Sequence, residues 1–253
     1  MEQGGATIVL GPGLAPGLGG LGVLLEFERR GVPVRECIGV NTGAIAAALW
    51  AVGADLALAA RVLSLLPWAQ YAASGSSADS DPILGALELL TRRRSFADVR
   101  RPVGVVVQEL ASGQCAVVRR GSLAWAVRSS LAVPGLIDPI PLDGRWQADP
   151  GARWARAVAA DLGDQVCPVW SFFTPAREWI GAGEGGFPVE AWQRAAYTFA
   201  GWAAAAPRDG EVIRAEADAL GLLSFDKLES WLDVGRRAAE RWLQRAQRPA
   251  GSA

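Results

Sequence analysis

The chain has 253 residues, 51% hydrophobic and 20% charged, enough apolar material to bury one sizeable core. A formal net charge of −1 excludes the global field expected of a nucleic-acid binder or of a protein held to an anionic membrane by charge. Histidine is absent, which excludes a Ser-His-Asp triad, a Cys-His dyad and any zinc site built on imidazole.

From the N-terminus, Ala6 to Leu10 is a short apolar run with β-branched residues and predicts a buried parallel strand. Gly11 to Gly20 is turn material, and Leu21 to Arg30 has helical spacing with Gly31 as its C-cap. Val34 to Val40 predicts a second strand and Thr42 to Val52 a helix, so the opening is a right-handed βαβ unit by default. A further helix from Asp55 to Leu66 ends before Pro67. The apolar stretch from Gly43 to Ala60 is interrupted by Asp55 and closed by Arg61, too punctuated for a transmembrane segment. The first residues lack the positive flank and apolar run of a signal peptide, so a cytoplasmic, soluble protein is expected.

Ser74 to Asp81 is polar and predicts a mobile loop before a helix from Pro82 to Arg93. Val103–Glu109 and Gln114–Arg119 read as strands turning around Ser112-Gly113. Leu123 to Leu131 is a short helix, and Pro134, Pro139 and Pro141 punctuate an irregular crossing towards Asp149. Gln165 to Phe173 is another apolar strand. The remainder reads as loop and helix, with a long amphipathic helix from Phe225 to Arg245. A single domain over 1–247 and a disordered tail over 248–253 are expected.

Cys37, Cys115 and Cys167 lie far apart in apolar or strand-like contexts and read as buried thiols, with no metal site implied. Lys227 is the sole lysine. Of eleven tryptophans, Trp146, Trp154, Trp170, Trp179, Trp192 and Trp202 crowd the second half; core filling is favoured over an acyl groove or an interface. Arg92-Arg93-Arg94 reads as helix-dipole complement and solvated surface.

Several segments, in order and spacing, resemble the patatin-like phospholipase family. Leu10 to Gly17 is similar to its glycine-rich oxyanion loop, and Gly39-Val40-Asn41-Thr42-Gly43 stands where the family has its G-x-S-x-G nucleophile elbow. Phe96 to Pro102, Ala126 to Gly135, Asp149-Pro150-Gly151 at the family's D-G-G or D-G-A position, and Phe225 to Leu228 ahead of Gly235 continue the likeness. The resemblance covers about Ile8 to Trp242 and implies an α/β fold, three-layer α/β/α, with a mainly parallel central sheet. It also implies lipid acyl ester hydrolysis by a Ser-Asp dyad, with no cofactor.

The chain departs from that pattern at three places, so it is identified as a degenerate member lacking the serine nucleophile. Asn41 occupies the nucleophile position, and a carboxamide nitrogen delocalised into its carbonyl is not a useful nucleophile. The dyad acid survives as Asp149, with an Asx-turn as its plain structural reading. Gly11, Pro12, Gly13, Leu14 and Thr42 are what remains of the oxyanion site, but Pro12 has no N–H to donate and Pro16 replaces the family's basic residue. Gly13, Leu14 and Gly17 remain, and read either as a small anion-binding nest or as a glycine-rich strand-to-helix turn required only for packing. The expectation is a catalytically inactive scaffold holding a partner or a lipid or acyl ligand, as a homodimer or paired with an active relative. The alternative is an active hydrolase using Thr42, Ser129 or Ser130.

Overall fold

The computed structural model describes residues 5–68, 81–164, 166–175, 198–207, 211–217 and 220–246. Among the described residues, one sheet contains eight strands: β1 (Ala6–Leu10), β2 (Val34–Gly39), β3 (Val103–Glu109), β4 (Cys115–Val118), β5 (Ile140–Leu142), β6 (Arg145–Ala148), β7 (Val169–Pro175) and β8 (Val212–Ala217). Their order is β5-β6-β3-β2-β1-β7-β8, with β4 paired to β3. The pairs β1–β2, β1–β7, β2–β3 and β7–β8 are parallel. The antiparallel pairs, β3–β4, β3–β6 and β5–β6, gather on one side. The sheet is therefore mixed, parallel through its centre.

Alternation along the central strands separates two cores, because successive side chains leave opposite faces of a strand. Ile8 and Leu10 enter one apolar cluster and Val9 the other; Cys37 and Ile38 divide the same way, as do Val105 and Val106. The larger cluster is covered by α1 (Gly19–Arg30), α2 (Thr42–Ala51), α3 (Leu56–Ser64), α4 (Pro82–Leu90), α5 (Leu123–Ser130) and α7 (Leu228–Ala246). On the opposite face lie α6 (Trp154–Leu162) and the helical stretch 198–205, which contribute Trp154, Val158, Phe199 and Trp202. That is the expected three-layer arrangement.

α1 and α7 pack unusually closely. A Cβ on Gly22 would overlap the Leu232 carbonyl oxygen, and one on Gly235 the Gly19 oxygen. Farther along, Phe27 and Trp242 stack with centroids 5.8 Å apart. Among the described residues, no helix is long and apolar enough to cross a membrane.

Several boundaries differ from expectation. α4 ends at Leu90 rather than Arg93, because Arg92 and Arg93 take positive φ of 55° and 52°. Asp81, expected in a loop, is buried: it N-caps α4 through Leu84 N–H (2.9 Å) and pairs with Arg128 at 2.6 Å. The strand placed at Gln165–Phe173 is shifted to Val169–Pro175. The proline-punctuated crossing holds the β5–β6 hairpin, and β8 occupies a region read as loop and helix. Cys37 is buried as expected, but Cys115 is half-buried and Cys167 exposed. Trp154 and Trp202 fill the core, whereas Trp146 is exposed. Trp179, Trp192, most of the Ser74–Asp81 segment and the tail 248–253 lie outside the described residues.

Candidate active site

β2 turns into α2 at Val40 and Asn41, and the reversal is tight. Val40 N–H donates to the Leu10 carbonyl (3.0 Å), Gly43 N–H to that of Val40 (2.9 Å) and Ala44 N–H to that of Asn41 (2.9 Å). Glycine is needed on both flanks, since a Cβ on Gly39 would collide with Ala44 Cα and one on Gly43 with the Leu10 oxygen. Asn41 itself takes φ 52° and ψ −126°. Such a conformation costs about 1–3 kcal/mol for a residue other than glycine, and asparagine is among the types that tolerate positive φ.

Contacts on every side hold Asn41 there, and it is fully buried. Its backbone N–H donates to Ser130 Oγ at 2.8 Å, and that hydroxyl donates to the Val106 carbonyl at 2.7 Å. The carboxamide Nδ2 donates to Asp149 Oδ2 (3.1 Å) and to the Ser130 carbonyl (3.3 Å). Oδ1 accepts from Leu14 N–H at 3.1 Å. Asparagine is a favoured N-cap type, yet here the side chain makes no capping bond and is spent on these partners instead.

Gly11, Pro12, Gly13 and Leu14 are all buried in the loop between β1 and α1. Leu14 has φ 52°, which aims its amide at Asn41, and its carbonyl accepts from Thr42 Oγ1 at 2.5 Å. Gly17 packs so close to Thr42 Oγ1 that a Cβ there would overlap it. The nest expected at Gly13, Leu14 and Gly17 therefore has its Leu14 donor already occupied by the Asn41 carbonyl.

Asp149 follows β6 and is buried, its N–H donating to the Ala132 carbonyl at 3.1 Å. Oδ1 accepts from Gly151 N–H at 2.7 Å, the expected Asx-turn, and from the Trp202 indole N–H at 2.9 Å. Burial pushes the carboxyl up from 3.8 to about 7, against the bonds from Gly151, Trp202 and Asn41, which favour the charged form.

The other hydroxyls weighed as nucleophiles are engaged. Thr42, Ser129 and Ser130 are all buried, and each donates to a backbone carbonyl, that of Leu14, Trp125 and Val106 respectively. The structure thus gathers Leu14, Asn41, Thr42 and Asp149 at one point. It adds Trp202, for which the sequence favoured core filling over a groove or an interface, and gives Ser130 a positioning role. The available signal for Trp202 was that a buried indole N–H needs an acceptor. Among the described residues, no group of three or more Cys, Asp or Glu is placed to hold a metal ion.

No family model matches the chain. Two uncharacterised NTE family proteins of Mycobacterium tuberculosis H37Rv are similar in sequence. Rv1063c is 29% identical over 158 residues, 57% of this chain and 42% of the relative. Rv2565 is 26% identical over 271 residues, 94% of this chain and 46% of the relative. The chain spans less than half the length of these curated relatives. Among solved structures, VipD from Legionella pneumophila superposes with a TM-score of 0.55 at 14% identity, covering 96% of this chain and 67% of VipD. ExoU of Pseudomonas aeruginosa, seen in a heterodimeric complex with SpcU, superposes with a TM-score of 0.51 at 13% identity, covering 96% and 52%. Sequence likeness to the NTE family and fold likeness to VipD and ExoU agree: the chain has a patatin-like fold.

Proposed function

We propose that this chain is a pseudohydrolase, a patatin-like scaffold that binds a partner or an acyl ligand without turning over an ester. One observation carries the reading: the Asn41 carboxamide spans from Leu14 N–H to the Asp149 carboxyl and satisfies both. In a Ser-Asp mechanism those two groups serve the substrate, one as oxyanion donor and the other as base for the nucleophile. Here an amide that cannot be acylated lies between them, and its own carbonyl takes the donor. Pro12 supplies no second donor from the loop. A patatin-like fold that holds a protein partner has a precedent in the ExoU–SpcU heterodimer. A homodimer or pairing with an active relative fits the same role.

The test is hydrolysis of a short-chain p-nitrophenyl ester together with labelling by a fluorophosphonate probe. Neither is expected from the purified chain. Stoichiometric labelling at Thr42, Ser129 or Ser130 would overturn the proposal. Asn41→Ser alone restores little activity, because the loss of one oxyanion donor typically lowers rates by about 10²–10³ and Pro12 remains. Recovery to rates typical of a working hydrolase would show that the proline is harmless and that Asn41 alone silences the site.

A further inference from the structure

Asn41 is the sole asparagine in the chain, and the elbow holds it in the backbone shape of a five-membered ring. Cβ and the backbone nitrogen stand a third of a turn apart about Cα, so a ψ of −126° brings Thr42 N almost into eclipse with Asn41 Cβ. Strand and helix values of ψ, about +135° and about −42°, swing the two well apart. From the eclipsed position only side-chain torsions separate Thr42 N from the carboxamide carbon. Thr42 opens α2, where no intrahelical acceptor exists, and its N–H has no hydrogen-bond partner among the described residues. The carboxamide is engaged at both ends: Leu14 N–H polarises its carbonyl at 3.1 Å, and Asp149 Oδ2 lies 3.1 Å from its nitrogen.

We propose that Asn41 is a self-modification site, at which the elbow closes the Asn41 side chain onto Thr42 N to form a succinimide with loss of ammonia. The Thr42 N lone pair forms the bond to Cγ, and the Cγ–Nδ2 bond breaks with its electron pair leaving on Nδ2. Nδ2 takes a proton from Asp149, and the proton that Thr42 N gives up replaces it, so neutral ammonia departs. Leu14 N–H stabilises the oxyanion formed on the way. A carboxyl pushed up to about 7 is shared between its acid and base forms near neutrality, as such a relay needs. Nδ2 leaves rather than attacks, because Asp149 and the Ser130 carbonyl hold it while Thr42 N–H is free of partners among the described residues. Asn41 is fully buried, so water reopens the ring slowly and the imide accumulates. Closure withdraws the Asn41 donor from Asp149. The inference uses the same Asn41 contacts as the pseudohydrolase reading, but it does not depend on the want of ester turnover.

The purified full chain is held at neutral pH, folded or in urea, and followed by intact mass and peptide mapping. The folded chain should lose one ammonia at Asn41 at least about tenfold faster than the unfolded chain, because only the fold imposes this ψ. Burial by itself would act the other way. Hydroxylamine added on unfolding should trap the imide at that position. Asp149→Asn, which cannot relay a proton, should slow the loss about a hundredfold. The comparison of folded with unfolded parent needs no variant, so it decides the matter even where Asp149→Asn fails to fold. An Asn41 that stays intact in the folded chain would overturn the inference, as would equal or faster loss in urea. So would scission between Asn41 and Thr42, or an undiminished rate in folded Asp149→Asn. Fluorophosphonate labelling bears on the pseudohydrolase reading alone, which keeps the failures of the two distinguishable.

Discussion

Two requirements meet at residue 41, and asparagine satisfies both. The bend needs a residue that accepts φ 52°, and the space beside it needs a group that donates to Asp149 while accepting from Leu14. Glycine meets the first alone, and serine is too short to reach both partners. Asn41→Ala should therefore lower stability by about 2–4 kcal/mol in urea unfolding, since it leaves a buried N–H and a buried carboxyl each short of a partner. A change within about 0.5 kcal/mol would mean that the carboxamide is idle packing. The residue type and position were legible in the sequence through the flanking Gly39 and Gly43. The bonds were not, because they join positions 27, 89 and 108 residues apart that only the folded sheet brings together.

Elements show the same division between local and distant information. β1 and α2 were legible because each is a nearly continuous apolar run flanked by glycine, the pattern of a buried strand or helix, and β2 because Cys37 and Ile38 lead into Gly39. β8 was not, since Val212–Ala217 alternates small alanines with Arg214 and Glu216 and offers little apolar contrast. β5 and β6 were hidden by Pro141 and by their lengths of three and four residues. The join between α4 and α5 was also unreadable, because it rests on the buried pair of Asp81 and Arg128. Burial pulls the guanidinium below its ordinary value, and the Asp81 charge opposes that. Removing one partner of such a pair strands the other charge, so Arg128→Ala should cost about 3–5 kcal/mol in urea unfolding. The double variant Asp81→Asn with Arg128→Met should cost less than the sum of the single changes. Additive losses would show that the two side chains stabilise their helices independently, Asp81 through its cap alone.

At the scale of the whole molecule, a chain without histidine has lost the side chain that ordinarily titrates near neutrality. Burial places Asp149 in that gap, at about 7 against an ordinary 3.8. A carboxyl raised in the fold binds its proton more tightly there than in the unfolded chain. Between the two values the folded state therefore carries more protons, and stability falls as pH rises. The contribution is full below 3.8 and is lost as pH passes through about 7. From pH 5 to pH 8 the unfolding free energy should decline by about 2–3 kcal/mol, steepest below neutrality and level above it. Urea melts across that range would show the decline, and Asp149→Asn, which keeps the shape but cannot ionise, should flatten it. If the parent became more stable with rising pH, the three donors around the carboxylate would outweigh its burial. Asp149 would then be an ionised strut rather than a protonated one, and its bond to Asn41 would be charge-assisted throughout the neutral range.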